Sequence, residues 1–190
     1  SPVFSGVFFC VGGYTSLTMN VQEIIGKVKG NMDAGSDTGR IELPKEDWAD
    51  KERRLQLGLD ILLSLLDDYG VRATFFVLGV VAEEHPQLVR KIAEAGHEIG
   101  SHGYDHTKVY ELDKKSFYET EVRTRDLLEE IAGVPVVAYR APFFSITRRS
   151  LWALEVLADL GYHIDSSIMA VETWRYGIEG APEEAYKLSE

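Results

Sequence analysis

A chain of 190 residues suffices for one domain with a buried core and is short for two. Its composition, 45% hydrophobic and 27% charged, is that of an ordinary globular protein. A formal net charge of -11 with no basic run excludes a surface built for nucleic acid or anionic membrane, which need clustered Lys and Arg. Cys10 stands alone, so no intrachain disulfide framework exists, and the compartment stays open between cytosol and export.

Residues 1–15 read as an N-terminal extension. Its apolar part (Val3, Phe4, Val7, Phe8, Phe9, Val11) is Gly-interrupted, lacks a basic lead and is too short to span a bilayer. An edge strand or a strand-like lead-in to the core fits it best, with the remnant of an export signal as the alternative. Ser16 to Gln22 is the natural first strand. Residues 26–47 are polar and Gly-rich with no apolar period, which predicts a long loop over the strand ends.

From Trp48 the pattern becomes regular. Leu55, Leu59, Leu62, Leu63 and Leu66 recur at helical spacing up to Gly70, a suitable C-terminal cap. Ala73 to Leu78 is a short apolar, aromatic run that predicts a buried strand. Leu88, Val89, Ile92 and Ala95 mark a helix ending at Gly96, followed by a strand around Glu98 to Ser101. Phe117, Leu127, Leu128 and Ile131 mark a helix ending at Gly133, followed by a strand from Val136 to Tyr139. Thr147 is placed to cap a fourth helix carrying Leu151, Leu154, Leu157 and Ala158, which Gly161 closes before a strand from Tyr162 to Asp165. Such alternation predicts βαβ units, hence a single α/β domain over 1–190 with a parallel sheet.

Three polar clusters then fall at the C-terminal ends of predicted strands: Asn20 with Gln22, His102 with His106, and Arg140. In parallel βα architectures that rim carries the active site. Within Ser101-His-Gly-Tyr-Asp-His106 the two histidines are four apart, able to meet on one side of a helical turn at a known metal-ligand spacing. Two surface histidines in a polar loop are the alternative. His85, His97 and His163 lack such partners and read as structural. In Tyr139-Arg-Ala-Pro-Phe-Phe-Ser145, Pro142 fixes a rigid extended turn. The Arg140 guanidinium could orient a carboxylate, and the backbone N–H groups after it could face a developing oxyanion. A loop arginine paired with a surface acid is the plainer reading.

Ser101–His106 and Arg140-Ala-Pro142 resemble the second and third motifs of the polysaccharide deacetylases, the NodB-homology domain of carbohydrate esterase family 4. Val71–Gly79, Ala95–Gly103 and Ser145 to Ile168 are similar to that family too, and look closest to its bacterial exopolysaccharide-associated subgroup. The resemblance runs from about Leu17 to Ile168. It implies a distorted, incomplete (β/α) barrel, with about five to six parallel strands in this chain. It also implies a zinc or other divalent metal held by His102 and His106, and an N-acetylated glycan as substrate. The reaction implied is removal of N-acetyl groups by metal-activated water, hydrolysis of a carbon–nitrogen bond outside peptides. Arg140 would orient the aspartate that acts as base, and Pro142 and Phe143 would lie at the oxyanion, Phe143 through its backbone N–H.

The first motif departs from the family. Where two acids belong, the chain reads Leu17-Thr-Met-Asn-Val-Gln-Glu23, so Asn20 takes the base position and Gln22 the ligand position. Strand alternation puts residues 18, 20 and 22 on one face. Asparagine cannot take a proton from water, and the neutral amide of Gln22 is a weak third ligand. Glu23 or Asp105 would be the substitute acids. Family members also continue with further βα units and a late histidine acting as acid, and none follows His163 here. The C-terminal barrel units therefore read as missing, with an open sheet edge that a homo-oligomer could cover. Two alternatives remain beside the deacetylase: a degenerate relative that binds glycan or protein without catalysis, and a metal-independent hydrolase of cyclic amides such as allantoin.

Overall fold

A computed structural model of the chain describes residues 8–10, 48–171, 173 and 176–187, with side chains from residue 54 onward. Its organising element is β2 (Thr74–Val77). Phe75, Phe76 and Val77 are all essentially inaccessible, so both faces of this strand are covered, as its unbroken apolar run requires. On one side β2 pairs in parallel with β3 (Glu98–Ser101), then β4 (Ala138–Tyr139), then β5 (Ile164–Asp165). On its other side lies β1 (Phe8–Cys10), antiparallel, with Phe8 opposite Phe76.

The expected α/β architecture is therefore present, with one change. Among the described residues four strands are parallel, and the fifth comes from the apolar lead-in running the opposite way. The expectation of five to six parallel strands counted Ser16 to Gln22, which lies outside the described residues, as does the loop predicted over 26–47.

Helices alternate with the strands and cover the sheet. Helix α1 (Trp48–Asp68) buries Leu59, Leu63 and Leu66, and the chain leaves it through Gly70 at φ 62°. A short α2 (Gly79–Glu84) follows β2 directly and was not resolved by periodicity, because six residues give too few turns to show one. Pro86 opens α3 (Pro86–Glu94) at its first turn, where the missing N–H costs nothing. Helix α4 (Lys114–Ala132) starts with the Asp113 carboxylate accepting the Ser116 N–H at 2.8 Å and ends at Gly133 at φ 68°. Helix α5 (Trp152–Asp159) begins later than expected. Thr147 does not cap it. Its N–H donates to Ser150 Oγ at 3.0 Å and its carbonyl accepts the Ser150 N–H at 2.9 Å, which closes a separate turn.

The core lies between α1, α3, α4, α5 and the sheet, with Phe117 edge-on to both Tyr139 and Trp152. Gly100 is fixed by space. A Cβ there would sit 2.7 Å from Phe76 Cδ1 and 2.9 Å from the Ala138 carbonyl oxygen, so only glycine lets the neighbouring strands close on β3. Among the described residues no helix is long and apolar enough to cross a membrane.

Because the four strands are parallel and in chain order, their C-terminal ends share one rim. Backbone bonds extend the ladder into the exiting residues. The His102 N–H donates to Val77 O at 3.0 Å, that of Arg140 to Ser101 O at 2.9 Å, and that of Ser166 to Tyr139 O at 2.9 Å. His102, Arg140 and Ser166 therefore stand side by side where the sheet ends.

Candidate active site

His102 is the first residue beyond β3 and is 2% exposed. Its Nδ1 lies 2.7 Å from the Arg140 carbonyl oxygen. A carbonyl can only accept, so this contact assigns the proton to Nδ1 and leaves the lone pair on Nε2. The loop then turns back through Gly103 at φ 79° and His106 at φ 67°. It is tied to the start of α2 by the Gly79 N–H on Gly103 O and the Val80 N–H on Tyr104 O, both at 2.9 Å.

The histidine rings meet with centroids 5.1 Å apart, and both Nε2 atoms are shielded from solvent. The sequence expectation of a pair is met, but its geometry is corrected: no helical turn joins them. Two left-handed residues fold the loop instead, and one of them is a non-glycine held there against a cost of about 1–3 kcal/mol. Burial pushes the His102 pKa down to about 4. Nearby His106 and Arg140 act in the same direction, and the hydrogen bond to the Arg140 carbonyl opposes them. Burial also lowers His106, against the raising effect of Asp105. Both rings are neutral near pH 7, the form that ligates metal.

Arg140 follows β4, with its guanidinium over the Phe76 ring at 4.6 Å and 5.5 Å from the Phe144 ring centre. Its Nε and Nη2 donate to the Ser166 carbonyl at 3.1 Å and the Ser166 hydroxyl at 2.5 Å. The sequence paired this side chain with a carboxylate. Among the described residues its hydrogen-bond partners belong to Ser166 instead, and the nearby Asp165 is bound by Ser167 N–H at 3.0 Å and Ser167 Oγ at 2.5 Å. Burial raises the Asp165 pKa, against those hydrogen bonds and the charge of Arg140.

The turn after Arg140 stands on Pro142, which is buried, and carries Phe143 outward, 43% exposed. Phe143 and Phe144 hold φ of 55° and 52°, and the Phe143 ring packs on His106 with centroids 4.5 Å apart. The expectation that the N–H groups after Arg140 face an oxyanion needs narrowing. The N–H of Ala141 donates to Ser167 Oγ, while those of Phe144 and Ser145 close the turn on the carbonyls of Ala141 and Pro142. The Phe143 N–H takes no part in those bonds.

Asn20, Gln22 and Glu23 lie outside the described residues. Asp105, the other substitute acid, is exposed and accepts the Thr107 N–H at 3.1 Å, which makes it a brace of its own loop. Among the described residues no group of three His, Cys, Asp or Glu side chains converges. His97 is structural as expected, buried against Phe75 with its Nδ1 facing the Ala73 N–H at 3.4 Å. Sequence reasoning missed the buried cluster in which Glu121 accepts from the Ser101 and Tyr162 hydroxyls, and Ser167, whose hydroxyl bonds Asp165 and the Ala141 N–H. One signal was available. Phe117, Glu121, Thr124 and Leu128 follow helical spacing, so an acid and a hydroxyl sit on the buried stripe of α4.

Among the described residues the donors fit a divalent metal. Two neutral imidazoles converge, and one is locked by an Nδ1–H on a backbone carbonyl, the usual second contact of a metal-bound histidine. His102 and His106 would hold such an ion, with Gln22 as the weak third position that the sequence offers. When bound, it would polarise an amide carbonyl and lower the pKa of water.

Fold and rim together define an α/β protein with a mainly parallel sheet and a candidate two-histidine site at the strand ends. Residues 58–164, more than half of the chain, match the family model described as polysaccharide deacetylase, and the chain belongs to that family. It is 35% identical over 95 residues to a peptidoglycan-N-acetylglucosamine deacetylase of Bacillus cereus, covering 50% of this chain and 34% of that protein. A crystal structure assigned as a polysaccharide deacetylase, from Mycobacterium smegmatis, superposes with a TM-score of 0.56 at 40% identity, covering 59% of this chain and 38% of the other. The wild-type structure of a Bacillus anthracis pseudoenzyme of carbohydrate esterase family 4 aligns with a TM-score of 0.52 at 22% identity over 56% of this chain and 37% of that one, a likeness of fold alone. The chain spans about a third of the length of the curated relatives it matches.

Proposed function

We propose that this chain carries the metal-binding half of a deacetylase site that hydrolyses the N-acetyl amide of an amino-sugar polymer or oligosaccharide. The carrying observation is the imidazole pair at the strand rim, His102 buried and His106 half-buried, with both Nε2 atoms shielded from solvent, beside Arg140 and the outward Phe143. The relatives named above, which include a peptidoglycan deacetylase, support a glycan as the substrate class.

His102 and His106 present Nε2 lone pairs from a loop that two left-handed residues hold in one shape. Arg140 orients through its backbone and its side chain at once: its carbonyl fixes the His102 tautomer, while its guanidinium is clamped on Ser166. The exposed Phe143 ring, seated on His106, offers an apolar face to a sugar and shields the ligand from water. The Phe143 N–H, outside the turn's own bonds, is the donor placed to meet a developing oxyanion.

A second reading rests on one feature of the sequence. Asn20 and Gln22 occupy the positions where the family carries acids, which favours a relative that binds glycan without turning it over. Acetate release from N-acetylglucosamine oligomers, measured with added zinc, separates the two. The deacetylase reading expects release that His106→Ala abolishes. Binding of the oligomers with no release from the wild-type chain would establish the second reading.

A further inference from the structure

Glu121 is a carboxyl buried beside the histidine rim. It lies in the middle of α4, 1% exposed, on the stripe that otherwise carries Phe117, Thr124 and Leu128. A carboxyl withdrawn from water is unfavourable unless its hydrogen bonds are made, and a leucine of similar size would fill the space without that cost. Its Oε2 accepts from Ser101 Oγ at 2.8 Å and from the Tyr162 hydroxyl at 3.2 Å. Ser101 Oγ in turn accepts the Gly103 N–H at 3.2 Å. Ser101 and Gly103 are the two chain neighbours of His102. One carboxyl on α4 therefore holds the Ser101 hydroxyl, which itself binds the Gly103 N–H on the far side of the first histidine, and joins it through the Tyr162 hydroxyl to the segment that leads to Arg140's partner Ser166.

We propose that Glu121 is a positioning residue for the histidine pair, acting through Ser101 to hold the end of β3 so that the His102 ring meets both the Arg140 carbonyl and His106. The proposal rests on the reading of His102 and His106 as metal ligands. The groups facing Glu121 from neighbouring elements are uncharged: Ser101 on β3, Tyr139 on β4, and Tyr162 ahead of β5. Its two hydrogen bonds, and not an ion pair, therefore carry the link.

The test uses the full chain and two readouts. In metal-free protein, long-range proton–nitrogen NMR reports the imidazole tautomers. Wild type should show His102 as the Nδ1–H tautomer. Glu121→Ala and Ser101→Ala should each give a tautomer mixture and weaken cobalt(II) binding, read from its visible spectrum, by about tenfold. The double variant should be no weaker than either single one, because both remove the same link. Glu121→Gln, which keeps an acceptor, should preserve both readouts. A wild-type tautomer and cobalt affinity in Ser101→Ala, additive losses in the double variant, or a Glu121→Gln as damaged as Glu121→Ala would each overturn the proposal. If Glu121→Ala fails to fold, Ser101→Ala and Glu121→Gln decide it. A wild-type chain that binds no cobalt would defeat the metal reading, and the tautomer comparison would still judge Glu121.

Discussion

The carboxyl of Glu121 is pushed up to about 7 by burial, with the hydrogen bonds from Ser101 and Tyr162 acting against that rise. Its folded pKa is raised above the ordinary 4.5, so the folded state favours the protonated form. Stability from this group is fully present below the unfolded pKa and is lost as pH rises through the folded one. The free energy of unfolding in urea should fall by about 1 kcal/mol between about pH 6 and 8, and Glu121→Gln should remove that fall. An unchanged slope in the variant would mean that another group titrates. At Asn20 and Gln22 the expectation is a gain. Asn20→Asp combined with Gln22→Asp should tighten zinc binding at least tenfold in a calorimetric titration, since a carboxylate replaces a neutral amide as ligand. No gain would mean that these residues do not face the histidines. The candidate site was partly legible: His102, His106 and Arg140 stand out by type and spacing. Glu121 did not, because an acid in a helix is ordinarily solvated, and only its place between Phe117 and Leu128 marks it.

At the level of elements, the strands and helices from Leu55 to Asp165 follow from apolar spacing and the glycines that end each helix. Gly70, Gly96, Gly133 and Gly161 all adopt positive φ at those ends. Three features escaped for local reasons. The six-residue α2 is too short to show a period. Thr147 uses its backbone in a turn with Ser150 before the helix starts. The histidine loop is shaped by the left-handed conformation of His106, which a histidine adopts more readily than most residues but still only in a small minority of cases. Gly100 allows a direct test of strand packing. Gly100→Ala forces a Cβ against the Phe76 ring and a backbone carbonyl, and should cost about 1–3 kcal/mol in unfolding free energy. A cost under about 0.5 kcal/mol would show that β2 and β4 can move apart freely.

For the whole molecule, the regular βα alternation sets the class, and linked motifs around His102, His106 and Arg140 set the family. What they could not give is the direction of β1, since a short apolar run pairs equally well either way until the neighbouring edge is known. The parallel order of β2 to β5 is what gathers the site, because it brings three consecutive strand ends to one rim. The proposed site requires that rim to hold an ion through the two histidines. Calorimetric titration of the chain with zinc, beside His102→Ala and His106→Ala, tests it most directly. One zinc per chain in the wild type, with affinity lost in either variant, is the predicted result. No binding, or binding that survives both substitutions, would contradict it.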